Sequence, residues 1–241
     1  MDAGKKKIHI LKGPLTRRQF IAFLFITLGS SLMISSYGFA YETRNLKVKS
    51  INLALPKFQG LIRAVQISDL HFVKANLLMS EVSIKIWEHR TGTLKNGLEE
   101  KLKDVGIKLL INSGEIIDLP NGAFFLAGID DAYHGSPNAV KAFKGRKREL
   151  SSIVLSHSPL GINYVSPLKP DLILSGHTHG GQIQVPFWGA IHTPPGSGKF
   201  VQGLYEINQI KMYVNRGIGT SIIPIRFMCS PEVTFLQVSG I

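Results

Sequence analysis

The most conspicuous feature of the hydropathy pattern is an uncharged run from Phe20 to Ala40, 21 residues long. As a helix it would rise about 30 Å, enough to cross the hydrocarbon core of a bilayer. Beyond it, Asn45–Leu55 alternates polar and apolar residues and is closed by Pro56, the period of a half-buried strand. Three short apolar runs then share one design. Arg63–Ser68 ends in Asp69-Leu70-His71, Ser152–Ser156 ends in His157-Ser158-Pro159, and Asp171–Ser175 ends in Gly176-His177-Thr178-His179-Gly180-Gly181. Such runs suit the buried strands of a layered α/β sheet. Between them, Leu77–Trp87 and Leu94–Val105 predict helices, with Gly106 as a stop, and Ile107–Asn112 and Phe124–Gly128 predict strands. Tyr205–Ile207 with Lys211–Val214 predicts a hairpin, and Val233–Val238 a closing strand. The organisation is a basic segment at 1–19, an apolar span at 20–40 and one α/β body at 41–241.

Charge changes the picture in one respect. The formal net charge of +12 would suit nucleic acid, but nine of the 28 Lys and Arg fall in the first fifty residues with only two of the 16 Asp and Glu. The excess therefore flanks the apolar span, as a topology signal does, and no nucleic-acid partner is expected for the body. Thr16-Arg17-Arg18-Gln19-Phe20 before a run softened by Gly29, Ser30 and Ser31 resembles a bacterial twin-arginine export signal. Gly38-Phe39-Ala40 offers a small-x-small cleavage site, and an uncleaved anchor is the other reading. Both place the body outside the cytoplasm, anchored to the cytoplasmic membrane or exported by the twin-arginine route. The lone Cys229 excludes an intrachain disulfide and a cysteine-rich zinc module.

The strand-end residues carry the candidate chemistry. Ligands of α/β sheets collect beyond the carboxyl ends of the strands, so three runs ending in Asp or His would converge there. Residues i and i+2 of extended chain project to one side, which lets Asp69 with His71, or His177 with His179, address one ion. Imidazole with carboxylate favours Zn, Mn or Fe over Mg or Ca, and two such ions can clamp a phosphoryl group. Taken singly, a D-x-H pair or His157 after a strand has an ordinary structural reading. His134 and His192 read as loop histidines.

The motifs Ile67-Ser68-Asp69-Leu70-His71, Leu155-Ser156-His157-Ser158-Pro159 and Leu174–Ile183 (LSGHTHGGQI) resemble the calcineurin-like metallophosphoesterases. Tyr213–Gly219, Pro224-Ile225-Arg226 and Pro231-Glu232 resemble the tail of that family's membrane-associated bacterial branch, which includes UDP-2,3-diacylglucosamine pyrophosphatase-like relatives. The resemblance implies a layered α/β/β/α sandwich preceded by one transmembrane or signal helix. It also implies hydrolysis of a phosphoester or pyrophosphate, in a lipid-linked substrate for some relatives, with a metal-bound hydroxide attacking. Asp69, His71 and His179 would hold a first metal, and His157 and His177 would help to hold a second.

Two family motifs are missing in order: G-D-x-x-D, whose first Asp bridges the metals, and G-N-H-[DE]. Trp87 stands at the family's His position and Ile86 at its Asn. The spacing from Phe72 to Trp87 leaves no room for the helix–strand unit that carries the bridging Asp. Substitute ligands would be Glu115, in Asn112–Asp118, or His89. The expectation is a chain that binds one metal weakly and hydrolyses phosphoesters slowly, with a non-catalytic, membrane-attached remnant of the fold as the alternative.

Overall fold

The computed structural model describes residues 16–70 and 104–240. Its first element, helix α1 (Arg17–Ser36), opens on Thr16. The Thr16 hydroxyl accepts from the Gln19 N–H at 3.3 Å, while the Gln19 carboxamide oxygen accepts the Thr16 N–H at 3.0 Å. This reciprocal box satisfies donors that a helix start leaves unpaired. No side chain of α1 is buried by protein. A π turn (Tyr37–Tyr41) and a 3₁₀ turn (Glu42–Arg44) continue its path, and Arg17–Arg44 is long and apolar enough to cross a membrane.

Two sheets form the body. Strands β1 (Lys47–Leu55), β2 (Leu61–Gln66) and β11 (Glu232–Gly240) make a three-stranded sheet in the order β1-β11-β2. Six strands make the second: β3 (Ser113–Leu119), β4 (Gly122–Gly128), β5 (Ser152–Leu155), β6 (Leu172–Ser175), β9 (Gly203–Ile207) and β10 (Ile210–Val214). Their order is β3-β4-β5-β6-β10-β9. Strands β4, β5, β6 and β10 run parallel, so their carboxyl ends open on one edge. A small hairpin, β7 (Gln184–Val185) and β8 (Gly189–Ala190), stands beside that edge.

The period of two along each strand divides the core. Phe124 and Leu126 of β4 face Leu53, Leu55 and Leu236 between the two sheets. Phe125 and Ala127 face the other way, against the short helices α2 (Ala139–Ala142) and α3 (Ile162–Val165). The described residues thus form a mixed α/β sandwich with two central sheets, few helices and an apolar seam.

Several expectations hold with small shifts: the alternating strand runs over Lys47–Leu55, the hairpin is β9–β10, and the closing strand is β11. The strand expected at Ile107–Asn112 is corrected. That run is irregular, and the strand begins at Ser113. Gly106 (φ +76°) and Asn112 (φ +47°) bound it with left-handed backbone, which breaks a ladder at both ends even though Ile107 and Leu110 bury their side chains. Strand β3 instead pairs with β4 around Pro120-Asn121, with Leu119 opposite Gly122. The helix expected at Leu77–Trp87 lies outside the described residues, as does Leu94–Val105 except for its last two positions.

Leu236 is 1% exposed at the centre of the inter-sheet seam. Leu236→Ala should cost about 2–5 kcal/mol, read by denaturant unfolding in detergent as a lower midpoint with an unchanged slope.

Candidate functional site

The carboxyl ends of β2, β6 and β10 meet where the two sheets adjoin. Gln66 donates to the Ser175 carbonyl at 2.9 Å, the Ser68 hydroxyl donates to Asn215 Oδ1 at 2.9 Å, and Ile218 N–H donates to the Ser68 carbonyl at 3.1 Å. Asp69 is set into this seam with 2% of its surface exposed. Glycine is required on both sides of it. A Cβ on Gly217 would stand 2.6 Å from the Asp69 Cβ, and one on Gly176 would overlap the carboxylate. The His177 N–H donates to both Asp69 oxygens at 3.0 Å. Burial pushes the Asp69 pKa up, but His179, His157, Ser68 and the His177 amide more than offset it, so the carboxyl sits below its ordinary value.

Asp69, His177, His179 and Gln182 all have φ between +51° and +71°. Left-handed backbone is uncommon outside glycine, and four such residues in one cluster mark a shape that the surrounding structure imposes. The result is two neighbouring pairs. His179 Nε2 lies 3.8 Å from Asp69 Oδ1, and His177 Nδ1 lies 3.1 Å from His157 Nε2. In each of His177 and His179 the other ring nitrogen meets a backbone carbonyl: His177 Nε2 with Pro195 at 2.7 Å, and His179 Nδ1 with Gly219 at 3.2 Å. Those carbonyls can only accept, so they assign the ring protons to those nitrogens. His179 Nε2 and His177 Nδ1 are then the nitrogens that face Asp69 and His157.

This donor set fits a divalent cation in part. Metal-binding histidines ordinarily donate their second N–H to a carbonyl or carboxylate, as both rings do here. Donors about 2.0–2.2 Å from one ion stand roughly 3–4 Å from each other, the spacing seen in each pair. Among the described residues, however, no three His, Cys, Asp or Glu side chains are grouped to hold an ion.

Two residues of the tail motifs, to which the sequence reading gave no role, support the cluster. Arg226 is fully buried. Its guanidinium donates to the carbonyls of His179 (3.2 Å), Cys229 (3.0 Å), Arg216 (2.9 Å), Gly217 (3.1 Å) and Gly219 (2.6 Å). One of these, Gly219, is also the acceptor that orients His179. Burial draws the Arg226 pKa down, opposed by Cys229 and Asp69. Glu232, also buried, accepts from Tyr213, from Arg216 Nε at 2.7 Å and from Thr234 at 2.7 Å. Burial raises its pKa, but those three hydrogen bonds and the Arg216 charge overcome this and hold it below the ordinary range. A signal for Arg226 was present, since a cation between Ile225 and Phe227 must find partners if its run is buried.

Of the other expected residues, His71, His89 and Trp87 lie outside the described residues. Glu115 is on β3, paired with Lys108. Three strand spacings, about 14 Å, separate β3 from β6, so the structure does not bring Glu115 to the histidines. A cavity of about 170 Å³ opens beside His179, lined mainly by apolar atoms of Ile183, Ile191, Ile222 and Ile223.

Two packed sheets with carboxylate and imidazole at the strand ends make this an α/β protein of the kind that collects ligands at that edge. The metallophosphoesterase YkuE of Bacillus subtilis is 37% identical over 130 residues, covering 54% of this chain and 46% of its own. The phosphodiesterase YaeI of Escherichia coli is 37% identical over 147 residues, 61% of this chain and 53% of its own. The UDP-2,3-diacylglucosamine pyrophosphatase LpxG of Chlamydia muridarum is 33% identical over 120 residues, 46% of this chain and 36% of its own. These matches support the calcineurin-like metallophosphoesterase family for this chain. The chain spans about half the length of the first two relatives. No family model and no solved structure matches it.

Arg226→Lys should cost about 3–5 kcal/mol, because an ammonium cannot reach five carbonyls and leaves buried acceptors unpaired. The check is thermal unfolding in detergent. Glu232 and Asp69 both have depressed folded-state pKa values, so their contribution is complete above the unfolded value near 4 and is lost as pH falls through the folded values. Stability of Glu232→Gln should therefore fall less steeply than that of the wild type on acidification below about pH 4, measured by denaturation across pH.

Proposed function

We propose that this chain is a membrane-anchored phosphoesterase that works with one divalent cation, Mn, Zn or Fe, and turns over slowly. The observation that carries the reading is the pairing of Asp69 with His179 and of His157 with His177 in one strand-end crevice, each pair at ligand spacing. Asp69 and His179 would hold the cation, joined by His71 on the D-x-H motif. His157 and His177 would supply a second position with only two donors, too few for tight binding where the bridging aspartate is absent. A bound cation supplies charge neutralisation at a phosphoryl group and a more acidic water.

The chain's own residues do the remainder. The Asp69 carboxyl, kept ionised well below neutral pH, is a permanent counter-charge. The carbonyls of Gly219 and Pro195 fix which nitrogen of each ring faces the crevice. Ile191, Ile222 and Ile223 line the apolar cavity beside His179, which suits a phosphoester with an apolar portion, including a lipid-linked pyrophosphate such as the substrate in LpxG's name. Helix α1 is the anchor, with the basic segment 1–19 on the cytoplasmic side and the body, 41–241, outside.

A second reading, a non-catalytic member of the family attached to the membrane, draws on the missing G-D-x-x-D and G-N-H-[DE] motifs. One assay separates the two. With manganese added, the wild type should hydrolyse bis(p-nitrophenyl) phosphate and Asp69→Ala should fall to background; equal signals from both proteins favour the non-catalytic reading. Elemental analysis should find about one ion per chain, lost in Asp69→Ala. Two tightly held ions would overturn the single-metal assignment.

A further inference from the structure

The end of the anchor helix is fastened to the same loops that surround the site. The Arg226 N–H donates to the Gly38 carbonyl at 3.3 Å, and a Cβ on Gly38 would meet the Arg226 carbonyl at 2.7 Å. The buried Glu42 carboxylate accepts from the N–H groups of Met228 (2.9 Å) and Cys229 (2.7 Å) and from the Ser230 hydroxyl (3.3 Å). Tyr37 packs edge-on against Phe227 at 6.4 Å. Phe227 in turn bridges to Ile183, donates to Gln182 at 2.8 Å and accepts from Gln184 at 2.9 Å, at the root of the β7–β8 hairpin. Loop 222–230, the hairpin and the helix end are therefore one connected structure.

The tips of that structure are apolar and project into solvent. Phe187 and Trp188 at the hairpin turn are 105% and 89% exposed, and Ile222 is 92% exposed, with Ile191 and Met228 also exposed. Large side chains uncovered to this degree and grouped together mark an interaction surface. Residues 37–41, to which they are fastened, sit where an α1 span of bilayer length leaves the hydrocarbon. Tryptophan and tyrosine are enriched at that depth because the ring is apolar and its N–H or O–H is wet.

We infer that the β7–β8 hairpin tip and the 222–228 loop form a second membrane contact, seated in the lipid interface beside the anchor and turning the apolar mouth beside His179 toward the bilayer. The occupant is lipid, because the patch is continuous with the exit of the spanning helix. Insertion of about 5–10 Å, as for other interfacial apolar elements, would cover Phe187, Trp188 and Ile222 without drawing in the strands behind them. The inference rests on α1 being a membrane anchor, and not on any catalytic activity.

The chain has two tryptophans, Trp87 and Trp188, so Trp87→Phe leaves Trp188 as a single reporter. The full chain with this substitution is reconstituted into vesicles of phosphatidylcholine and phosphatidylglycerol, with or without phosphatidylcholine brominated high on its acyl chains. The expected result is blue-shifted Trp188 emission, most of which the brominated lipid quenches. If Trp87→Phe does not fold, the difference between wild type and Trp188→Phe gives the same signal. Water-like emission that brominated lipid leaves unchanged overturns the proposal. So does a blue-shifted but unquenched emission, since protein and not lipid would then cover the hairpin. Flotation with unlabelled vesicles tests the anchor separately. A chain that fails to float overturns anchor and docking together, whereas one that floats with Trp188 unquenched overturns the docking alone.

Discussion

The site depends on a carboxylate buried at the junction of two sheets. Asp69 enters from the end of β2 in the three-stranded sheet, and the amide that holds it belongs to His177, at the end of β6 in the six-stranded sheet. Moving an ionised group out of water is costly unless it is paired and hydrogen-bonded. Two flanking glycines, the left-handed turns of the GHTHGG segment and the nearby imidazoles all serve that requirement. Had the sheets packed a few ångströms apart, Asp69 would lose its donors and the histidines their orientation. The fold and the candidate chemistry are therefore one constraint seen at two scales.

The support behind Asp69 is layered in the same way. Ser68 donates to Asn215, whose amide donates to Thr234 at 2.7 Å, and Thr234 donates to Glu232. Burying such a chain is stabilising only when every member is satisfied, and Tyr213 and Arg216 complete it at the Glu232 end. Strand β11 thus reinforces a site whose candidate groups all lie earlier in sequence.

Much of this was legible in the residues. Short apolar runs ending in Asp69, His157 and the His177–His179 turn located the crevice, because parallel strands deliver the residues at their carboxyl ends to one edge. The misplacement of the strand before β4 shows where periodicity stops being informative. Ile107–Asn112 is as apolar as a strand, and the left-handed backbone at Gly106 and Asn112, which no hydropathy pattern encodes, shifts the ladder to Ser113. The partners of Arg226 were illegible for a different reason. Its partners are backbone carbonyls, which every residue carries, so no side-chain identity marks them. Glu42 likewise binds the amides of Met228 and Cys229 across 187 positions at the farthest, a pairing visible only once the chain has folded.

Only Asn45 and Leu46 separate the last helical turn from β1, and Glu42 is already tied to the body on the other side. With α1 as the proposed anchor, there would be no slack between membrane and domain. A domain held on a long tether sweeps a hemisphere and samples molecules dissolved in the volume around it. One bolted to its post explores only the plane in which the post drifts, so encounter is governed by lateral diffusion and by the surface density of whatever shares that plane.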